Sequence, residues 1–71
     1  MYKFNGAKLR ELREKKGWTL RAAAAQLVGQ GYENTTYQTW SNWEDGSNQP
    51  ISGAAAGLAG LFGVKMEDLF K

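Results

Sequence analysis

Histidine and cysteine are both absent from this 71-residue chain. Without cysteine there is no disulfide, no thiolate nucleophile and no thiolate metal site. Without histidine the chain also lacks the commonest proton shuttle and zinc ligand. The seven Asp and Glu residues are scattered, with no pairing of the kind that hydrolysis needs. We therefore expect a protein that is not an enzyme and that has no small-molecule substrate, metal or other cofactor.

Long apolar runs are missing as well. No stretch approaches the ~20 apolar residues that span a bilayer, and the first residues do not form the apolar segment of a secretory signal. The sequence thus predicts a soluble, intracellular protein without a membrane partner. A chain of this length has room for one small hydrophobic core, so we expect a single domain over residues 1–71.

The stretch TTYQTWSNWEDG, residues 35–46, predicts a short helix. Thr36 can cap its first turn, and Gly46 is typical of the residue that follows a helix. At 100° per residue Trp40 and Trp43 share one side, which we expect to be buried. The side chains left to point outward are those of Tyr37, Gln38, Ser41 and Asn42. A rigidly held helix with exposed amides and hydroxyls is suited to contact a partner.

Positive charge is concentrated at one end of the chain, although the total is only +2. Residues 1–27 hold seven Lys and Arg against two Glu, a local net charge of +5. Residues 28–64 hold three acidic side chains and no Lys or Arg, a local net charge of −3. A basic half favours an anionic partner such as nucleic acid. The helix at residues 36–45, however, lies in the acidic half.

Four further helices are indicated by apolar spacing and by capping residues. Their predicted ranges are 6–16, 20–27, 53–62 and 65–70, with Asn5, Thr19 and Ser52 as N-caps of the first three. The expected core positions in these helices are Leu9, Leu12, Leu20, Ala23, Ala24, Leu27, Ala55, Leu58, Ala59, Phe62, Met66, Leu69 and Phe70. The sequence therefore predicts an all-α fold, a compact bundle of about five short helices.

Three glycines occupy one side of the predicted fourth helix, opposite its core positions: Gly53, Gly57 and Gly60. In a helix interior each costs on the order of 0.8–1 kcal/mol relative to alanine. We expect a compensating gain from the close approach of a partner's backbone. Tyr32, in the long turn over residues 28–34, would add an aromatic side chain to this partner interface. The alternative is that the helix is weak and is stabilised by its packed side.

The order of these elements resembles the Cro and repressor type of helix-turn-helix domain found in phage and bacterial regulators. The motifs that carry the resemblance are LRELREKKGWT at 9–19, WSNWEDG at 40–46, Pro50, LAGLFGV at 58–64 and EDL at 67–69. The resemblance implies a helix-turn-helix within the bundle, double-stranded DNA as the partner, and the cytoplasm of a bacterium or of a phage-infected cell. It also implies an ion pair between Arg13 and Glu44 that acts as a structural clamp.

Carried over residue by residue, the resemblance places the outward side chains of the third helix in the major groove. Gln and Asn can each form two hydrogen bonds with adenine there. The start of the second helix would face a phosphate, and the loop after the third helix would touch the DNA backbone. The implied DNA-binding residues are Thr19, Arg21, Thr36, Tyr37, Gln38, Ser41, Asn42, Ser47 and Asn48. Alternatively, they are ordinary exposed polar residues.

Three functions remain open from the sequence. The first is a small transcriptional regulator that binds an operator as a homodimer, with half-sites about one helical turn apart. The second is a protein–protein modulator or antirepressor that binds another regulator, and the absence of Lys and Arg from the third helix favours it. The third is an antitoxin, because domains of this type often accompany a toxin.

Overall fold

The structure is a computed structural model and describes residues 3–70. It contains four α-helices and one 3-10 helix, and no strand occurs in the described residues. The elements are α1 (Gly6–Lys15), α2 (Leu20–Gly29), α3 (Tyr37–Asp45), α4 (Ser52–Phe62) and a C-terminal 3-10 turn (Met66–Leu69). The predicted all-α class is confirmed. The fifth predicted helix is only a short 3-10 turn, so residues 3–70 form four α-helices rather than five.

The first three helices begin at the predicted N-caps. In each case the side-chain oxygen accepts the backbone N–H three positions further on, at 3.0 Å for Asn5 and 3.1 Å for Thr19 and Thr36. α3 and α4 end at glycines in the left-handed conformation, with φ of 85° at Gly46 and 66° at Gly63. Residues with a Cβ rarely adopt this conformation, which is why glycine marks these ends in the sequence.

α4 begins one residue earlier than the sequence predicts. Ser52 is its first helical residue, and Ile51 occupies the N-cap position without a capping side-chain hydrogen bond. The prediction that Ser52 caps this helix was wrong, because the extended backbone that an N-cap needs is already adopted at Ile51, directly after Pro50. α2 is two residues longer than predicted, since it continues to Gly29.

Trp40 lies at the centre of the core and is fully buried. Its ring packs against those of Trp43 and Phe62, with centroids 6.0 and 6.1 Å away. All four α-helices and the C-terminal turn contribute to this core, whose fully buried leucines are Leu9, Leu27, Leu58 and Leu69. The predicted burial of the tryptophan side of α3 is therefore confirmed. Met66 is 39% exposed, so its predicted place in the core was wrong.

The ion pair between Arg13 and Glu44 joins α1 to the end of α3. Nε of Arg13 lies 2.6 Å from Oε2 of Glu44, and Nη2 donates to Oε1 at 3.2 Å. Glu44 also accepts the indole N–H of Trp40 at 2.7 Å, while Arg13 donates to the Trp18 carbonyl at 2.8 Å. The hydrogen bond with Glu44 raises the pKa of Arg13 above its usual range. The predicted structural clamp is confirmed.

A second contact between these helices depends on Gly6, the first residue of α1. A Cβ at this position would overlap the carbonyl oxygens of Trp43 and Glu44. The backbone at the start of α1 therefore lies directly against the backbone at the end of α3. No role for Gly6 was predicted from the sequence. Gly6 follows the N-cap Asn5 directly, and nothing in this local sequence indicates a contact with Trp43 and Glu44, almost forty positions away.

None of the helices in residues 3–70 is long and apolar enough to cross a membrane.

Candidate nucleic-acid interface

The exposed side of α3 carries the two amides that the sequence analysis selected. Gln38 is exposed, Asn42 is half-buried, and both project away from the side that carries Trp40 and Trp43. The amide nitrogen of Gln38 donates to Oδ1 of Asn42 at 3.1 Å. This bond leaves both N–H groups of Asn42 and a second lone pair of its oxygen free to meet a base edge. Together Gln38 and Asn42 form an amide pair that can donate and accept at the same site.

Ser41 and Tyr37 flank this amide pair on the side of α3 that turns toward the ion pair and α2. Ser41 is half-buried and Tyr37 is 42% exposed. Thr36 precedes them, with its hydroxyl oxygen already accepting the N–H of Thr39 and lying 3.1 Å from the Thr39 hydroxyl. Tyr37, Gln38, Ser41 and Asn42 therefore lie on connected surface, whereas the Thr36 hydroxyl is engaged inside the chain.

Two predicted residues, Thr19 and Arg21, lie at the start of α2. The Thr19 hydroxyl caps α2 through the N–H of Ala22. Cζ of Arg21 lies 4.3 Å from the centroid of the Tyr37 ring, so the guanidinium makes a cation–π contact with the first residue of α3. The structure thus brings Arg21 together with Tyr37 and places a positive charge at one edge of the exposed side of α3.

The predicted loop residues Ser47 and Asn48 lie at the other end of α3. Their backbone N–H groups donate to Oδ1 of Asp45 at 2.8 Å and to the Asn42 carbonyl at 3.3 Å, which folds the loop back onto the helix. Hydrogen bonds from the Ser47 hydroxyl and backbone hold the pKa of Asp45 below its usual range. Asp45 is therefore ionised at neutral pH. This exposed carboxylate, one turn beyond Asn42, was not among the predicted site residues, although helical spacing alone places it there.

The predicted partner interface has a different geometry from the one expected. Gly57 is buried, and a Cβ built there would lie 2.6 Å from Cε2 of Tyr32. The Tyr32 hydroxyl donates to the Gly53 carbonyl at 2.7 Å. The close approach expected from a partner's backbone is therefore made by Tyr32 of the same chain, because the missing Cβ lets its ring reach the helix. Gly53 and Gly60 remain exposed.

A groove lies beside this contact, between the long turn and the loop that follows α3. Its volume is about 550 Å³, and its apolar lining includes Tyr32, Trp43, Pro50 and Ile51. Ile51 is 78% exposed at the edge of this groove. Ile51 was not among the predicted site residues, since one apolar residue after a proline has no periodic signal. Within residues 3–70 no cluster of acidic side chains is suited to hold a metal ion.

A comparison with known protein families matches residues 6–70 to a helix-turn-helix domain. Comparisons with curated proteins and with solved structures gave no match. The matched range contains every helix of the structure, including α2, the turn after it and α3. In DNA-binding members of this structural class, the second helix of the motif lies in the major groove. The chain belongs to the helix-turn-helix domain family, and membership of this family indicates a DNA-binding regulator.

Proposed function

We propose that this chain is a small, non-catalytic transcriptional regulator, of the repressor or Cro type, whose α3 reads double-stranded DNA in the major groove. The observation that carries the proposal is the amide pair Gln38–Asn42 on the exposed side of a helix whose opposite side is buried. Its place of action would be the cytoplasm of a bacterium or of a phage-infected cell.

The rigid support of α3 favours a role in reading shape and sequence. The Arg13–Glu44 ion pair and the contact at Gly6 fix its C-terminal end, and Trp40 fixes its middle. A side chain held in place before binding loses less conformational freedom on binding. The outward amides can therefore meet base edges at small entropic cost.

The chemistry of the amide pair favours adenine as the base that is read. An Asn or Gln side chain can donate to N7 and accept from the N6 amino group of adenine, which discriminates by about 1–3 kcal/mol against other bases. Asn42 keeps both functions free, since its bond with Gln38 uses only one lone pair of Oδ1. Ser41 lies beside the pair, where its hydroxyl can meet a base edge or a phosphate.

The phosphate contacts in this proposal come from both ends of the exposed side of α3. Thr19, Arg21 and Thr36 lie at the N-terminal ends of α2 and α3, and Ser47 and Asn48 follow α3. Only Arg21 among them is charged, so one copy of the chain would neutralise few phosphates. We therefore include a second copy in the proposal, bound to a half-site about 34–36 Å away.

A titration of the purified protein with DNA from its own genomic neighbourhood tests this proposal. The titration is made at about 50 and 200 mM salt, with light scattering on the same samples. We expect sequence-specific binding with a shallow dependence on salt, because few cations contribute. A folded protein that binds none of these duplexes at the lower salt concentration would overturn the proposal.

A second candidate function is that of a modulator that binds another regulator protein. Two observations favour it: the ionised Asp45 on the exposed side of α3, which repels phosphate, and Ile51, 78% exposed beside an apolar groove. Light scattering of the chain mixed with a regulator encoded beside it would then give the summed mass. Ile51→Asn should abolish that complex, whereas Gln38→Ala should not.

A further inference from the structure

Arg21 is the only Lys or Arg between residues 17 and 64. The chain has two other arginines that the structure describes, and both are paired with carboxylates: Arg10 with Glu14 and Arg13 with Glu44. Within residues 3–70 Arg21 forms no ion pair and donates no hydrogen bond to a protein acceptor. Its guanidinium therefore keeps all five N–H donors free.

Arg21 is nevertheless held in place, by an aromatic ring instead of a carboxylate. Its Cζ atom lies 4.3 Å from the centroid of the Tyr37 ring. Arg21 is the second residue of α2, and Tyr37 is the first residue of α3. This cation–π pair thus connects the first turns of the two helices across the long turn that separates them in sequence.

We propose that Tyr37 is a positioning residue, whose ring holds Arg21 ready to bind one phosphate of the DNA backbone beside α3. This inference rests on the proposed function. The cation–π contact takes up no hydrogen-bond acceptor, so the N–H groups of Arg21 stay available, and two of them match two phosphate oxygens. A carboxylate partner would instead occupy the same donors and lower the net positive charge.

Pre-positioning matters because Arg21 has a long side chain with many rotamers. An exposed cation on an aromatic ring is stabilised by an amount that corresponds to about two- to fivefold in an equilibrium constant. That gain is made before DNA arrives, so less freedom is lost on binding. Since a phosphate contact carries no sequence information, the effect of Tyr37 should be equal for all duplexes.

A positioning role of Tyr37 can be distinguished from a direct contact between Tyr37 and a base. A base contact would change the preference for a particular sequence, whereas a positioning role changes affinity and its dependence on salt through Arg21 alone. Four variants separate the two: Arg21→Gln, Tyr37→Leu, Tyr37→Phe and the double variant Arg21→Gln/Tyr37→Leu. Circular dichroism and thermal unfolding identify any variant that has lost its fold.

The experiment is a salt titration of duplex binding, with a selected operator and an unrelated duplex. Arg21→Gln should lower the slope of log K against log[salt] by about 0.9 for each bound copy of the chain, as expected for one lost phosphate contact per copy. Tyr37→Leu should weaken binding about two- to fivefold per bound copy for both duplexes, and Tyr37→Phe should bind as the wild type does. In the Arg21→Gln background, Tyr37→Leu should have no further effect.

Additive losses for Arg21→Gln and Tyr37→Leu, or a loss confined to the selected operator, would overturn the positioning role while leaving the proposed function intact. Equal losses of affinity for Tyr37→Phe and Tyr37→Leu would overturn it too, because Tyr37→Phe keeps the aromatic ring and removes only the hydroxyl. If the folded wild type binds neither duplex, the proposed function fails and the inference fails with it.

Discussion

The side chain of Glu44 connects α1, the end of α3 and the hydrophobic core. It accepts hydrogen bonds from Arg13 of α1 and from the indole of Trp40 in the core, and only 9% of its side chain is exposed. A carboxylate shielded from water in this way depends on its partners for stabilisation. Removal of Arg13 should therefore cost much more stability than removal of an exposed arginine.

Arg13→Met should lower the free energy of unfolding by about 3 kcal/mol, because it leaves Glu44 without its cation. The matched control is Arg10→Met, which removes an arginine from the same helix. Arg10 and its partner Glu14 are 64% and 56% exposed, so the loss there should be about 0.3–0.5 kcal/mol. Urea unfolding of the two variants measures the difference. Equal losses would show that the ion pair with Glu44 does not hold α1 to α3.

At the level of elements, the long turn is held against α4 by a contact that depends on a missing Cβ. The ring of Tyr32 covers Gly57, and its hydroxyl donates a hydrogen bond to the Gly53 carbonyl at 2.7 Å. Gly60 lies on the same helix, and, apart from its chain neighbours and the backbone of its own helix, no described atom lies within 4 Å of the place where its Cβ would be. The two glycines therefore allow a matched comparison.

Gly57→Ala should destabilise the protein, since overpacking costs about 1–3 kcal/mol and outweighs the gain in helix propensity. Gly60→Ala should stabilise it by about 0.5–1 kcal/mol. In a Tyr32→Ala background the clash is gone, and Gly57→Ala should then stabilise as Gly60→Ala does. Thermal unfolding of the five proteins, the wild type and the variants Gly57→Ala, Gly60→Ala, Tyr32→Ala and Tyr32→Ala/Gly57→Ala, gives these values. A Gly57→Ala variant at least as stable as the wild type would contradict the contact.

Local signals in the sequence were sufficient to predict most of the elements. Capping by Asn5, Thr19 and Thr36 and the glycines at Gly46 and Gly63 depend on neighbouring residues only, and periodicity identifies the buried tryptophans. The last element was overestimated, because apolar spacing over six residues does not distinguish an α-helix from a 3-10 turn. The cap of α4 was misplaced, since Ser52 has the right chemistry but the wrong backbone conformation.

At the scale of the whole molecule, the contacts between distant residues were harder to predict. The exposed side of α3 follows from helical spacing, but the bond between Gln38 and Asn42 is one of several that their side chains could form. The ion pair of Arg13 with Glu44 was found only through the resemblance to a family. The contact of Tyr32 with Gly57 joins residues far apart in the chain, and no local pattern specifies it.

The proposed function requires the whole molecule to present α3 to DNA. The most direct measurement is the affinity of the Gln38→Ala/Asn42→Ala variant for a duplex that the wild type selects from a random library, at one fixed salt concentration. Thr39, whose hydroxyl faces the capping residue Thr36 rather than the amide pair, provides the control variant Thr39→Ser.

If α3 reads adenine through this pair, the double alanine variant should bind the selected duplex about 10- to 100-fold more weakly, while its affinity for unrelated duplexes stays the same. Thr39→Ser should bind as the wild type does. Equal affinity of the double variant and the wild type for the selected duplex would contradict the assignment of α3 as the reading helix.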